Sequence, residues 1–178
     1  MSSVPGGFMT TISSVPFLQV PPLRDDRSNA VRRADPKNIL GSGQLHPTLS
    51  RKIEQLIDKA SAEGLDLYIQ EGFRSVEAQA KISSANTRAK PGFSFHNYGL
   101  AADIVFRNKT GGPSWDEKHD WERLGELGKN MGLDWGGDWR SFKDRPHFQY
   151  SPRHGIGIGE IRQLYQEEGL KRVWENIK

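Results

Sequence analysis

From Pro47 to Glu63 the apolar residues Leu49, Ile53, Leu56, Ile57 and Ala60 recur every three or four positions. That spacing lines one face of a helix. Gly64 follows as a residue suited to a left-handed stop. The period then falls to two: Leu65, Leu67 and Ile69 alternate with Asp66, Tyr68 and Gln70, as in a half-buried strand. Ser75 is placed to cap a helix over 76–88. After a Pro-Gly loop, residues 100–106 predict a second strand. Ser114 and Glu117 have capping-box spacing, and the helix behind them turns Trp121, Leu124, Leu127 and Met131 inward, with Gly132 past its end. Short strands are expected near 133–135 and 146–150. In the tail, about 158–178, Ile161, Leu164, Tyr165, Leu170, Val173 and Trp174 return at roughly helical intervals, and Gly169 is expected to split them into two helices. Helices and strands are unevenly interleaved, without regular βαβ units. The predicted class is α+β, a small antiparallel sheet with flanking helices.

Residues 1–38 are rich in Ser, Pro and charge and show no sustained period. They are expected to form an extended N-terminal arm with few internal contacts. Residues 39–178 then form one domain that ends in the helical tail. A chain of 178 residues, 35% of them hydrophobic, is long enough for a real core. The net charge of +3 comes from interspersed acids and bases, a mild bias toward an anionic partner such as a bacterial wall. No Arg/Lys block with interleaved aromatics occurs, so no nucleic-acid partner is expected. No apolar run approaches the ~20 residues of a membrane span, so no stable membrane insertion is expected. A monomer is expected. The first residues lack a basic segment followed by a continuous apolar one, so no signal peptide is expected. With no cysteine, thiol nucleophiles, disulfides and thiolate zinc sites are all excluded.

Asp103 sits inside LAADIVF, where every neighbour favours burial. A buried carboxylate needs a cation, a cage of donors or a metal. His96 lies seven positions earlier, and Gly99 between them can turn both toward one point. His147, in DRPHFQY, is available as a third ligand. Two His and one Asp are a standard zinc set, and a fourth position left open marks a catalytic site. Asp144 precedes His147 by three residues, but Pro146 makes a helical HExxH arrangement unfavourable. A carboxylate beside a metal-activated water can take its proton and pass it to a leaving amine. Structural readings stand beside this one. Asp103 can instead pair with Arg74, which follows the first strand in EGFRS. His46 reads as a helix-entry residue, His119 as a solvated helix residue and His154 as a loop residue. The tryptophans of WGGDW read as core or groove wall. The Gly155–Gly159 run lacks a preceding buried strand, which speaks against a phosphate cradle.

Three separated pieces, GFRSVEAQ (72–79), SFHNYGLAADI (94–104) and WGGDWRSFKDRPHFQ (135–149), together resemble one family. It comprises the zinc peptidases of the peptidoglycan-cleaving D,D-carboxypeptidase and L-alanyl-D-glutamate endopeptidase type. Their fold is shared with vancomycin-resistance D,D-peptidases and the Hedgehog signalling domain. The family's Ser-x-His-x-x-Gly-x-Ala-x-Asp pattern is matched at Ser94, His96, Gly99, Ala101 and Asp103. The resemblance covers about residues 40–150. It implies Zn2+ held by His96, Asp103 and His147, with Asp144 as general base. It implies that Arg74 orients substrate or stabilises the oxyanion, and that Gln79 and Ser94 support substrate binding. Aspartate rather than glutamate at 144 resembles the L-alanyl-D-glutamate branch, which includes phage endolysins and bacterial wall hydrolases. The implied partner is a peptidoglycan stem peptide, met at the cell wall, with holin-type release if the chain is phage-encoded. A D,D-carboxypeptidase is the alternative within this chemistry. A zinc-holding module without catalysis is the alternative outside it, and a poised Asp144 argues against that one.

Overall fold

The computed structural model describes residues 27–82, 87–151 and 156–177. Helix α1, Asn29–Ala34, starts at Ser28, whose hydroxyl accepts the Val31 N–H. Val31 and Ala34 are buried in the common core, and α1 packs on α2 and β1. Residues 29–34 are therefore not part of an extended arm. Two apolar residues suffice to dock a helix too short to show a period. The arm's first 26 residues lie outside the described residues.

Helix α2, Pro47–Ala62, buries the five apolar positions that the spacing selects. His46 is its N-cap: Nδ1 accepts the Thr48 N–H at 3.1 Å. Gly64, with φ 82°, follows its end. Strand β1, Leu67–Glu71, leads to α3, Val76–Gln79, which Ser75 caps through the Ala78 N–H. The helix expected to reach 88 thus has four residues, and 83–86 lie outside the described residues. A 3₁₀ turn, Phe95–Tyr98, runs into β2, Ala101–Arg107. Between them Gly99 has φ 65°, and a Cβ there would stand 2.3 Å from the Gln44 carbonyl oxygen. No side chain fits that turn.

Strand β3, Pro113–Ser114, pairs with β2, so Ser114 belongs to the sheet and caps no helix. Helix α4, Trp121–Asn130, is capped instead by Asp120, which accepts the Arg123 N–H. His119 precedes α4 in a turn, stacked on Phe106 with 4.3 Å between ring centroids. Strands β4, Asp134–Trp135, and β5, His147–Gln149, complete an antiparallel sheet in the order β1-β2-β5-β4. Helix α5, Ile158–Asn176, is one element broken at Gly169 by non-helical backbone. Its Trp174 indole N–H donates to the Tyr98 carbonyl at 2.8 Å, tying the tail to the 3₁₀ turn.

Pairing divides the sheet into two faces. Leu67 and Ile69 oppose Phe106 and Ile104, while Ala102 opposes Phe148, itself opposite Trp135. This face packs under α4, close enough that a Cβ on Gly128 would meet the Phe148 ring. The other face carries Asp103, opposite His147 on β5. Regular pairing would also set Gln70 against Asp103, but a bulge between Ile69 and Glu71 sets Glu71 there instead. One extra residue in a strand re-aims every side chain beyond it.

Candidate metal centre and catalytic cleft

The face of the sheet that carries Asp103 opens into a cleft of about 230 Å³. At its floor His96 Nε2, Asp103 Oδ1 and His147 Nδ1 form a triangle with edges of 3.2, 3.2 and 3.4 Å. Together they form a group that could hold a metal ion. His96 is 2% and His147 6% exposed. Asp103 and His147 meet because they are register partners, and the 3₁₀ turn brings His96 over them.

Each histidine has its other nitrogen engaged. His96 Nδ1 donates to the Gly72 carbonyl at 2.7 Å. His147 Nε2 donates to Gln149 Oε1 at 3.1 Å, and Gln149 is oriented in turn by donating its amide N–H to Ser151 Oγ at 2.8 Å. The two inward nitrogens therefore present lone pairs. The third corner, Asp103 Oδ1, is buried and takes no hydrogen bond among the described residues. Three acceptors facing one another across little more than 3 Å repel unless positive charge lies between them. The electrostatics show the same demand. Burial disfavours a charged His96, yet the Asp103 carboxylate raises its pKa above the ordinary value. Burial likewise opposes ionisation of Asp103, but His96 and His147 hold its carboxyl far below the usual range. Bonds of about 2.0–2.1 Å at tetrahedral angles give ligand–ligand edges of about 3.3–3.4 Å. The observed triangle has the size and donor set that a tetrahedral zinc ion requires.

Asp144 lies on the same cleft, on the loop between β4 and β5. Its N–H donates to the Gly136 carbonyl at 3.0 Å, and its own carbonyl accepts the His147 N–H at 3.1 Å. Its carboxylate takes no hydrogen bond among the described residues. Burial, and then the charge of Asp103, raise its pKa above the ordinary carboxylate value. Trp139 forms a wall, its ring 5.0 Å from that of His147, while Trp135 lies in the core.

Arg74 joins the carboxylates. Its Nε donates to Glu71 Oε1 at 2.7 Å, a second nitrogen donates to Glu71 Oε2, and the third donates to Gln79 Oε1 at 2.8 Å. The pairing of Arg74 with Asp103 also exists, at 3.6 Å to Oδ2, and leaves Oδ1 for the triangle. Gln79, 2% exposed, stands behind Arg74 and does not reach the cleft surface. Ser94 does line the cleft. Glu71 escaped the sequence reading because strand alternation alone puts it on the wrong face. The glutamine two residues after His147 was the available signal for Gln149. His154 lies outside the described residues.

Comparison with known proteins places the chain among peptidoglycan peptidases. Residues 87–150 match the model of a family described as D-alanyl-D-alanine carboxypeptidase. The peptidoglycan L-alanyl-D-glutamate endopeptidase CwlK of Bacillus subtilis (strain 168) is 38% identical over 124 residues, 61% of this chain and 74% of that protein. The L-alanyl-D-glutamate peptidase of Listeria phage A118 is 31% identical over 117 residues, 65% of this chain but 41% of the phage protein. Among solved structures, the Serratia marcescens L-Ala D-Glu endopeptidase ChiX superposes with a TM-score of 0.54 at 25% identity, covering 67% of this chain and 86% of that one. The LdcB LD-carboxypeptidase shares the fold, with a TM-score of 0.50 at 20% identity over 75% of this chain and 70% of its own.

Proposed function

The chain belongs to the D-alanyl-D-alanine carboxypeptidase family of peptidases, and from that premise we propose that it is a zinc-dependent peptidoglycan hydrolase cutting between L-alanine and D-glutamate of the stem peptide. The observation that carries the chemistry is the triangle of lone pairs, with an unsatisfied Asp103 Oδ1 at one corner. The choice of bond rests on the L-alanyl-D-glutamate relatives.

His96, Asp103 and His147 would hold Zn2+, which supplies a Lewis acid for the scissile carbonyl and a lowered pKa for water. Asp144 accepts a proton from the attacking water on a carboxylate oxygen. It returns that proton to the leaving nitrogen as the new C–O bond replaces the C–N bond. Its freedom from hydrogen bonds suits a group that must take and give a proton. Arg74 has three of its five N–H donors engaged by Glu71 and Gln79. The remainder are assigned to the carbonyl oxygen as it gains charge. Ser94 supports the bound peptide at the cleft wall. The protein acts at the bacterial cell wall, as its relatives' substrates require.

Digestion of purified peptidoglycan, followed by mass spectrometry of the products, tests the reading. The expected fragments begin with an unblocked D-glutamate and leave L-alanine on the muramoyl group. Release of terminal D-alanine alone would assign the D,D-carboxypeptidase reaction instead.

A further inference from the structure

Arg88 lines the same cleft, and it has no hydrogen bond or ion pair among the described residues. Its guanidinium carbon stands 5.3 Å from the centre of the Phe142 ring. Stacking occupies the face of a guanidinium and leaves its in-plane N–H groups free for a carboxylate.

Its position is built. Gln79 Nε2 donates to Thr87 Oγ1 at 3.2 Å and to the Ala89 carbonyl at 3.1 Å, and the Ala89 N–H donates to Thr87 Oγ1 at 3.2 Å. Both neighbours of Arg88 are thus fixed to the buried amide that also receives Arg74. One side chain sets the spacing between the two arginines. Their electrostatic situations differ. Arg74 is compensated by Glu71 and Asp103, whereas Arg88 is uncompensated among the described residues. Arg88 is therefore the cleft-lining arginine whose charge remains available to attract an anionic group.

The substrate class proposed above supplies such an anion. In the stem peptide D-glutamate is joined onward through its γ-carboxyl group, so its α-carboxylate is free and sits one carbon from the scissile nitrogen. We infer that Arg88 is a specificity residue that receives this α-carboxylate on the leaving-group side. The inference deepens the L-Ala–D-Glu reading and rests on it.

Two peptides with a blocked N-terminus test it: L-Ala–D-Glu joined through its γ-carboxyl to L-lysine, and the same peptide with the α-carboxylate converted to a primary amide. The zinc-loaded wild type should prefer the carboxylate form by about tenfold or more in kcat/KM, the scale of one charge-assisted pair. Arg88→Gln should lower turnover of that form by about the same factor while leaving the amide form within about twofold. Arg88→Lys should restore part of the preference. Arg162→Gln should keep it, because Arg162 stacks on Phe93 at 5.1 Å and does not line the cleft. A wild-type preference that survives Arg88→Gln, a wild type without preference, or a preference lost only in Arg162→Gln overturns the role of Arg88. Absence of turnover on both peptides by the wild type removes the L-Ala–D-Glu reading itself, and Arg88's role with it.

Discussion

His147 and Asp144 lie three residues apart, yet the protein holds them by different means. His147 sits on a strand, opposite Asp103, and its outer nitrogen is fixed by Gln149. Asp144 sits on a loop and is placed through its backbone, with its carboxylate free of hydrogen bonds among the described residues. The difference fits the tasks proposed for them. A ligand must keep one tautomer and one direction, so a second hydrogen bond locks it. A base must change protonation state in every turnover, and donors fixed on it would hold it ionised.

The largest expected effects separate these two residues directly. His147→Ala should lose both zinc and activity, since two protein ligands hold the ion poorly. Asp144→Asn should keep zinc and lose about 10²–10⁴ in turnover, because the amide keeps the shape but takes no proton. Metal content of the purified variants and turnover on peptidoglycan supply the two readings. Release of zinc from Asp144→Asn as readily as from His147→Ala would make Asp144 a ligand and erase the distinction.

A smaller effect should follow from disturbing only the loop. A Cβ on Gly136 would stand 2.4 Å from the Asp144 carbonyl oxygen and 3.1 Å from the Cβ atoms of Asp144 and His147. Backbone must move to admit it. Displacement of a catalytic group by about 1 Å costs up to about 10²-fold. Gly136→Ala should therefore lower kcat by about 10- to 100-fold with zinc still bound, because pairing with β2 continues to hold His147 opposite Asp103. Loss of zinc in proportion to activity would show that loop and strand form one unit.

The sequence disclosed the locked half of the site more fully than the rest. Asp103 is conspicuous because an acid in an apolar strand needs a partner, and Gly99 marks the turn that brings His96 over it. Both signals are local. The division of α2 into buried and exposed positions is equally local, and the structure buries all five residues the spacing selects. What was not legible depends on long-range packing. Residues 29–34 form a helix because Val31 and Ala34 find the surface of α2 and β1, and six residues are too few to show a period. Ser114 and Glu117 have the spacing of a cap, but pairing with β2 claims Ser114. Gln79 reads as a substrate contact in a linear motif, yet burial places it behind Arg74. Glu71 is the plainest case. Alternation along β1 would put it with Ile69 against the core, and only the bulge, set by pairing with β2, turns it toward Asp103.

Glu71 therefore offers the finest test of the contrast between locked and free groups. Its carboxylate grips Arg74 with both oxygens while its side chain is partly exposed to water. Glu71→Gln keeps the shape but replaces a charged two-point clamp with a neutral amide that can accept at one oxygen only. Hydrogen bonds to charged groups contribute about 1.5–3 kcal/mol, and exposure to water discounts that figure toward its lower end. Arg74 remains held by Gln79 and drawn to Asp103, so it should loosen rather than leave. The expected result is a kcat lowered by about three- to tenfold, with zinc content and melting temperature unchanged. KM should change little, because the assigned contact of Arg74 strengthens only as the carbonyl oxygen gains charge. Arg74→Lys provides the reference: it removes the fork that both Glu71 and Gln79 recognise, so its kcat should fall below that of Glu71→Gln. If Glu71→Gln instead raised KM at constant kcat, Arg74 would be binding the ground-state peptide. If it released zinc, the clamp would belong to the locked half of the site, supporting Asp103 rather than aiming Arg74.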